Sequence, residues 1–167
     1  MRETPQQYTK RILGHVAGKQ PLKVQAATPG KLARLVKGVS RKRLAERPAP
    51  GKWSVAEILA HLSETELVGG YRIRMILGAN GTPIQAFDQD DWAEAGGYAR
   101  RNPAESLALF CTLRKANLRL LASLSPKQWK QYGMHAERGR ETVEKITRMF
   151  AGHDLNHLGQ IERILGR

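Results

Sequence analysis

The sequence predicts an all-α protein, a four-helix bundle with a long crossover connection and short extra helices. Three observations support this fold class. Apolar residues recur every three or four positions in several segments, which is the period of an amphipathic helix. No segment shows a convincing alternation of apolar and polar residues. Prolines, glycines and capping residues divide the chain into helical segments, and four of them are long enough to bury one apolar stripe each.

A single domain that spans residues 1–167 is expected from the length and composition. The chain can bury a substantial core, and its 41% hydrophobic and 26% charged residues are ordinary for a globular protein. No apolar run is long enough for a membrane span. The N-terminus lacks the apolar region of a signal peptide, and Cys111 is the only cysteine, so no intrachain disulfide can form. We therefore expect a cytoplasmic protein without a membrane segment.

The formal net charge of +13 raises the question of a polyanionic partner. The 28 basic residues are spread from Arg2 to Arg167. Their densest cluster, residues 40–47, contains no aromatic side chain that could stack on a base. A dispersed basic surface explains the charge better than nucleic-acid binding does, so nucleic acid is the less favoured partner.

The first part of the chain contains two predicted helices. A short helix covers Pro5–Ala17. Thr28 can cap a second helix that begins at Pro29, because proline suits the first helical position. This helix runs to about Lys37 and continues irregularly until Pro48.

The next long helix is marked by a capping box of Ser54 and Glu57, which satisfies two backbone donors at a helix start. Its end is expected near Gly78. Helical spacing is kept by its apolar residues Ile58, Leu59, Leu62, Ile73 and Ile76.

A long connection over residues 80–100, expected to contain one short turn of helix, leads to the last two long helices. Asn102 is the predicted N-cap of the first of these, followed by Pro103, and this helix stops before Ser125. The final long helix is predicted over residues 139–165. The inward residues of the helix after Asn102 are predicted to be Leu107, Phe110, Cys111, Leu118 and Leu121.

Two histidines interrupt the apolar stripe of the final helix. His153 and His157 lie one turn apart, and the stripe is formed by Val143, Ile146, Phe150, His153, His157, Ile161 and Ile164. Two imidazoles at this spacing can bind one cation, with zinc–nitrogen distances of about 2.0–2.1 Å. The alternative is a pair of core histidines that are satisfied by hydrogen bonds.

A third ligand would have to come from another part of the chain. His15 is expected on the surface and His135 in a loop, whereas His61 flanks the apolar stripe of the helix that begins after Ser54. His61 is therefore well placed to complete a three-histidine site. Three nitrogen ligands leave an open position on a divalent metal, as in catalytic sites.

These motifs together resemble the DinB-like superfamily, which includes YfiT-type metal-dependent hydrolases and thiol-dependent S-transferases. The resemblance rests on a tryptophan-led helix with "HLSETE" and on the C-terminal "HDLNHLGQI", and it covers almost the whole chain. It implies a four-helix bundle of DinB type and a metal site at His61, His153 and His157. It also implies a nickel or zinc ion, a small-molecule substrate, a low-molecular-weight thiol as a candidate cosubstrate, and a homodimer.

The implied function is a metal-dependent enzyme, either a small-molecule hydrolase or a thiol-dependent S-transferase. Such a site can lower the pKa of a bound water or hold a thiol as thiolate. The alternative is a non-enzymatic metal-binding stress-response protein. Glu64 is a candidate proton acceptor or partner of the ligands, and Glu66 and Asp154 are weaker ones. Arg114 and Asn117 are candidates for holding a substrate carboxylate.

Overall fold

A computed structural model describes residues 3–167 and confirms a mostly helical fold. Four long helices form the bundle, and the remaining helices are short. The helices are α1 (Pro5–His15), α2 (Pro21–Val36), α3 (Arg41–Ala45), α4 (Val55–Gly78), α5 (Gln89–Ala95), a 3-10 helix (Tyr98–Arg100), α6 (Pro103–Ala122), α7 (Pro126–Trp129) and α8 (Val143–Leu165). None of the helices in this part of the chain is long and apolar enough to cross a membrane.

Helix α4 begins and ends where the sequence predicts. The Ser54 hydroxyl accepts a hydrogen bond from the Glu57 amide at 3.2 Å, and the Glu57 carboxylate accepts one from the Ser54 amide at 2.8 Å. Asn102 caps α6 by accepting a hydrogen bond from the Ala104 amide at 3.0 Å. These caps satisfy backbone donors that have no partner inside the helix, and they depend only on neighbouring residues.

The predicted start of α2 at Pro29 is wrong. The helix begins at Pro21, so Pro29 lies inside it, and the Thr28 hydroxyl donates to the Val24 carbonyl at 2.9 Å instead of capping a helix. Proline has no amide to donate to the carbonyl four residues earlier, here that of Gln25. A nitrogen of the buried Arg114 guanidinium donates to this carbonyl at 2.9 Å. Tertiary packing therefore supplies the hydrogen bond that the proline removes.

A small three-stranded sheet was not predicted. It contains β1 (Pro83–Ile84), β2 (Tyr132–His135) and β3 (Gly139–Thr142), in the order β1-β2-β3. β1 pairs with β2 in parallel, and β2 pairs with β3 in antiparallel register from Tyr132↔Thr142 to His135↔Gly139. Strands of two to four residues are too short to show a period of two.

The sheet changes two expectations about the last part of the chain. The predicted start of the final helix at residue 139 is too early, because residues 139–142 form β3 and the Thr142 hydroxyl caps α8 through the Lys145 amide at 3.0 Å. His135 is not in a loop but in β2, where it is buried.

The apolar core consists of two clusters separated by a polar layer. The first cluster includes Ile58, Phe110 and Ile161, and the second includes Ile73, Leu121, Val143 and Ile146. Both clusters include residues of α4, α6 and α8. Buried polar residues of these helices lie between the clusters: Glu66 on α4, Arg114 and Asn117 on α6, and His153 and Asp154 on α8. The candidate site therefore lies in the middle of the bundle.

The contact of α1 with α8 depends on a glycine. A Cβ atom at Gly152 would lie 2.0 Å from the backbone oxygen of Ile12. We expect Gly152→Ala to lower the free energy of unfolding by about 1–3 kcal/mol, because backbone atoms would have to move apart. Urea unfolding followed by circular dichroism measures this change.

Gly159→Ala is the matched control for Gly152→Ala. Gly159 lies on the same helix, and a Cβ atom there would meet only the end of the Arg163 side chain at 3.5 Å. We expect this variant to be unchanged or stabilised by up to about 1 kcal/mol, since alanine favours helix over glycine. Equal destabilisation of both variants would contradict the proposed steric cause.

Candidate metal centre

Three histidine side chains from two helices converge in the polar layer. The Nε2 atom of His153 lies 2.9 Å from Nε2 of His61 and 3.1 Å from Nε2 of His157. Among residues 3–167, these three are the group of potential metal ligands whose donor atoms all lie within 4.8 Å of one another. All three side chains are at least 93% buried. The rings that were predicted to face inward from two separate helices therefore meet inside the protein.

The packing of α4 against α8 positions the rings. His153 and His157 lie one turn apart on α8, with ring centroids 4.4 Å apart. His61, on the first half of α4, is held by the ring of Trp53 at a centroid distance of 4.9 Å, and Thr65 Oγ1 lies 3.4 Å from its Nε2. His61 is therefore positioned by neighbouring side chains as well as by its own helix.

Gln160 determines which nitrogen of His157 faces the cluster. The Nδ1 atom of His157 lies 2.9 Å from the side-chain oxygen of Gln160, which can only accept a hydrogen bond. Nδ1 therefore carries the proton, and the Nε2 atom of the neutral ring presents a lone pair to the other histidines. This role of Gln160 was not predicted, although its position three residues after His157 places it on the same side of the helix.

Burial keeps the imidazoles neutral near pH 7. Desolvation lowers the pKa of His157 to about 4. Desolvation, followed by the electrostatic effect of His157, also places the pKa values of His61 and His153 well below the ordinary value. Neutral imidazole is the form that binds metals, so the three side chains are in the state that a cation requires.

The geometry fits a metal ion better than a set of hydrogen bonds. Two nitrogens that each bind one cation at about 2.0–2.1 Å, with a nitrogen–metal–nitrogen angle of about 90–110°, are roughly 2.9–3.4 Å apart. The two observed Nε2–Nε2 distances, 2.9 and 3.1 Å, lie in this range. Without a cation, the Nε2 atom of His153 faces two other nitrogens. A single ring nitrogen has either one proton or one lone pair, and it cannot make a good hydrogen bond to both.

The carboxylates that the sequence suggested as partners of the histidines bind elsewhere. Glu64 pairs with Arg101 at 2.5 Å and accepts a hydrogen bond from the Tyr98 hydroxyl at 3.1 Å. Glu66 and Asp154 both pair with Arg114, at 2.9 and 2.6 Å. Their proposed contact with the imidazoles is therefore not observed.

Arg114 and Asn117 do not face a substrate cavity. Arg114 is 1% exposed and makes a two-nitrogen contact with both oxygens of Asp154, at 2.6 and 2.9 Å. The Asn117 amide nitrogen donates to the carbonyl and carboxylate of Glu66, at 3.0 and 2.9 Å. Both side chains thus tie helices together and are not available to hold a substrate carboxylate.

A cavity of about 570 Å³ opens next to the histidine cluster. His61 and His153 form part of its wall. Most of the rest of the wall comes from α4, α8, the start of α1, the segment from Ala86 to Asp90, and the end of β2 with the turn that follows it. This volume is within the range of small-molecule sites. A small molecule could therefore reach two of the three imidazoles.

Comparison with known proteins adds sequence relatives to this geometry. Residues 26–161 match the family model of the DinB superfamily. A protein of Oceanobacillus iheyensis is 29% identical over 118 residues, which is 70% of this chain and 67% of the relative. YfiT of Bacillus subtilis is 24% identical over 147 residues, covering 87% of this chain and 83% of the relative. Both relatives are named "putative metal-dependent hydrolase".

Two solved structures share the fold. The structure of Bacillus subtilis YfiT, described as a four-helix bundle of unusual topology, superposes with a TM-score of 0.79 at 23% identity and covers 99% of this chain and 93% of that one. The mycothiol-dependent maleylpyruvate isomerase superposes with a TM-score of 0.63 at 16% identity, over 87% of this chain and 64% of the isomerase. The chain therefore spans less than two thirds of the isomerase.

Removal of one partner from the buried ion network is expected to destabilise the protein strongly. Asp154→Ala leaves the Arg114 guanidinium without its two-oxygen partner in a site that water does not reach. We expect the free energy of unfolding to fall by about 3–5 kcal/mol, because two charge-assisted hydrogen bonds are lost and their buried donors are left without acceptors, although Glu66 still balances the charge of Arg114. Chemical denaturation of the purified variant measures the loss.

The control for Asp154→Ala removes a carboxylate from an exposed ion pair. Glu46 pairs with Arg43 at 3.2 Å, and its side chain is 64% exposed. Glu46→Ala is expected to change the stability by less than about 1 kcal/mol. A comparable loss in the two variants would show that the network around Arg114 has no special importance.

Proposed function

The chain belongs to the DinB superfamily, and from its convergent histidines we propose that it is a metal-dependent enzyme that acts on a small molecule. The observation that carries the proposal is the convergence of three buried, neutral imidazoles beside a cavity of about 570 Å³. His61, His153 and His157 would hold the metal. Three ligands from the protein leave room for a water molecule or a substrate atom, which is typical of catalytic and not of structural zinc sites.

Each part of the site would have a defined role. A divalent cation would supply a Lewis acid that lowers the pKa of a water or thiol entering the cavity. Gln160 holds the proton on Nδ1 of His157, so that Nε2 stays available as a ligand. Trp53 covers one side of His61 and limits its rotation. The buried ion network of Arg114 fixes the two helices that bear the ligands.

Two reaction classes are compatible with this arrangement. Hydrolysis of a small molecule is favoured by the names of the sequence relatives. Transfer to a low-molecular-weight thiol is favoured by the structural similarity to a mycothiol-dependent isomerase. Cys111 is not required for either reaction, since it packs against the apolar cluster that contains Phe110. A non-enzymatic metal-binding protein of a stress response is the remaining alternative.

We further propose that the metal is nickel or zinc, that the protein is a homodimer and that it is located in the cytoplasm. Imidazole ligands suit both metals. Support for a dimer comes from Leu67, Tyr71 and Met75, which lie one turn apart on α4 and are 40–62% exposed. Such an apolar stripe is typical of a surface that is covered by another protein. Light scattering of the purified protein would give its mass in solution.

Metal uptake tests the ligand assignment. We expect the wild-type protein to bind about one Zn²⁺ or Ni²⁺ per chain, and we expect His153→Ala to lose this binding because the nitrogen shared by both short contacts is removed. Elemental analysis after metal loading and desalting measures the stoichiometry, and far-UV circular dichroism checks that the helices remain. His15→Ala, at an exposed position outside the cluster, should bind as the wild type does. Full occupancy in His153→Ala would contradict the assignment.

An activity screen tests the enzymatic proposal. The metal-loaded protein is assayed on a panel of activated esters and amides and, separately, on electrophiles with low-molecular-weight thiols. We expect turnover that needs the metal, disappears in His153→Ala and persists in His15→Ala. Turnover that survives complete metal removal would contradict the proposal. A large fall in Tm on chelation without any turnover would favour a structural or binding role.

A further inference from the structure

The wall of the cavity beside the histidines extends along two antiparallel helices, α4 and α8. On α4 its wall is formed by His61, Thr65, Val68 and Arg72, which are spaced four, three and four residues apart and so share one face. His61 and Arg72 are separated by about 16 Å along the helix axis. One end of the cavity therefore holds the candidate metal ligands, and the other end holds an arginine.

The middle of the cavity is apolar. Helix α8, which runs antiparallel to α4, contributes Ile146, Met149, Phe150 and His153 to the wall. The connection after β1 contributes Ala86 and Phe87. A ligand that fills this space would have an apolar body, because polar groups would lose their hydrogen bonds to water there.

Arg72 has no carboxylate partner within ion-pair distance among residues 3–167. Its guanidinium donates to the Gln85 carbonyl at 2.6 Å and lies 5.4 Å from the centre of the Phe87 ring. Desolvation is the largest influence on its pKa and lowers it, the nearby Arg138 lowers it further, and Glu141 offsets part of this effect. A half-buried cation in this situation would gain from an anionic ligand.

The carboxylates around the cavity form no ion pair with Arg72 among residues 3–167, although the charge of Glu141 favours its charged form. Glu141 receives two hydrogen bonds from Arg138, at 2.8 and 3.0 Å. Glu3 is paired with Arg11 at 2.8 Å. The other acidic residues of the wall are Asp88, which is partly buried and caps α5, and the exposed Asp90 and Glu137.

His135 provides a second donor at the Arg72 end. Its Nδ1 atom accepts hydrogen bonds from the backbone amides of Glu137 and Arg138, at 3.2 and 3.4 Å. In the neutral ring the proton is therefore on Nε2. The ring lines the same cavity, so this end offers a guanidinium and an imidazole N–H.

We infer that Arg72 binds the carboxylate of an elongated ligand whose other end lies at the three histidines. The ligand class is a small molecule with an apolar middle, a metal-binding or reactive group at one end and a carboxylate at the other. The planar fork of arginine matches both oxygens of a carboxylate. This inference rests on the proposed metal site and adds the substrate class and the residue that selects it.

Binding of thiol probes to the cobalt-loaded protein tests the inference. Two series of increasing chain length are compared, ω-mercaptocarboxylic acids and the ω-mercaptoalcohols of equal length. Coordination of the thiol, with loss of its proton to the buffer, is followed by the sulfur-to-cobalt charge-transfer absorption. At the best chain length we expect the acid to bind about tenfold more tightly than the alcohol, because a charge-assisted contact replaces a neutral one.

Variants assign the preference to Arg72. Arg72→Met should remove the preference for the acid and leave the affinity for the alcohol within about twofold, and Arg72→Lys should retain part of it. Arg148→Met, at an exposed position on α8 outside the cavity, should behave as the wild type does. The visible cobalt spectrum of each variant shows whether the protein is folded and the metal is bound.

The possible outcomes separate the two proposals. Equal affinity of the wild type for acids and alcohols at every chain length overturns the inference about Arg72 and leaves the metal site intact. An acid preference that persists in Arg72→Met also overturns it. Absence of any cobalt spectrum in the wild type overturns the metal site and, with it, this inference. The comparison of acids with alcohols in the wild type needs no variant, so a misfolded Arg72→Met would not prevent a decision.

Discussion

One buried guanidinium connects all four long helices. Arg114 extends from α6 and contacts the Gln25 carbonyl on α2, the Glu66 carboxylate on α4 and both oxygens of Asp154 on α8. Its charge is compensated by two carboxylates in a region that is almost completely closed to water. A buried ion network of this kind requires good geometry, because each charge is costly when its partner is displaced. The helices therefore have little freedom to slide past one another.

This restriction explains how two separate helices can present three imidazoles within hydrogen-bond distance. Asp154 follows His153 directly, and Glu66 lies little more than one turn after His61 on α4. The network that binds these carboxylates thus sets the relative position of the ligands on both helices. The carboxylates do not contact the imidazoles themselves, so their contribution is to position the helices. The two apolar clusters above and below this layer provide the hydrophobic burial, and the polar layer sets the register.

The features that could be predicted from the sequence depend on neighbouring residues. The capping box of Ser54 and Glu57, the asparagine cap of α6 and the one-turn spacing of His153 and His157 are local, and the structure contains all of them. The inward direction of His61 followed from the apolar stripe of its helix. The family was also identified correctly, since the histidine motifs on α4 and α8 lie within the matched residues.

The features that could not be predicted depend on contacts between distant residues. The partner of Glu66 comes from α6, 48 residues later, so its role could not be deduced from its own helix. The small sheet joins β1 to β2 across a separation of about fifty residues, with strands too short to leave a pattern. Gln160 is different, because its spacing from His157 was visible and its role as a hydrogen-bond acceptor could have been inferred.

Pro29 has a consequence that reaches beyond its own helix. Its ring frees the Gln25 carbonyl, and this oxygen is one of the acceptors that make the buried position of Arg114 tolerable. Any other residue at 29 would bring an amide that competes for the same oxygen. Positions 29 and 114 therefore constrain each other, although they lie 85 positions apart in the chain. A proline inside a helix ordinarily weakens it, but Pro29 leaves an acceptor for the buried charge that connects the four long helices.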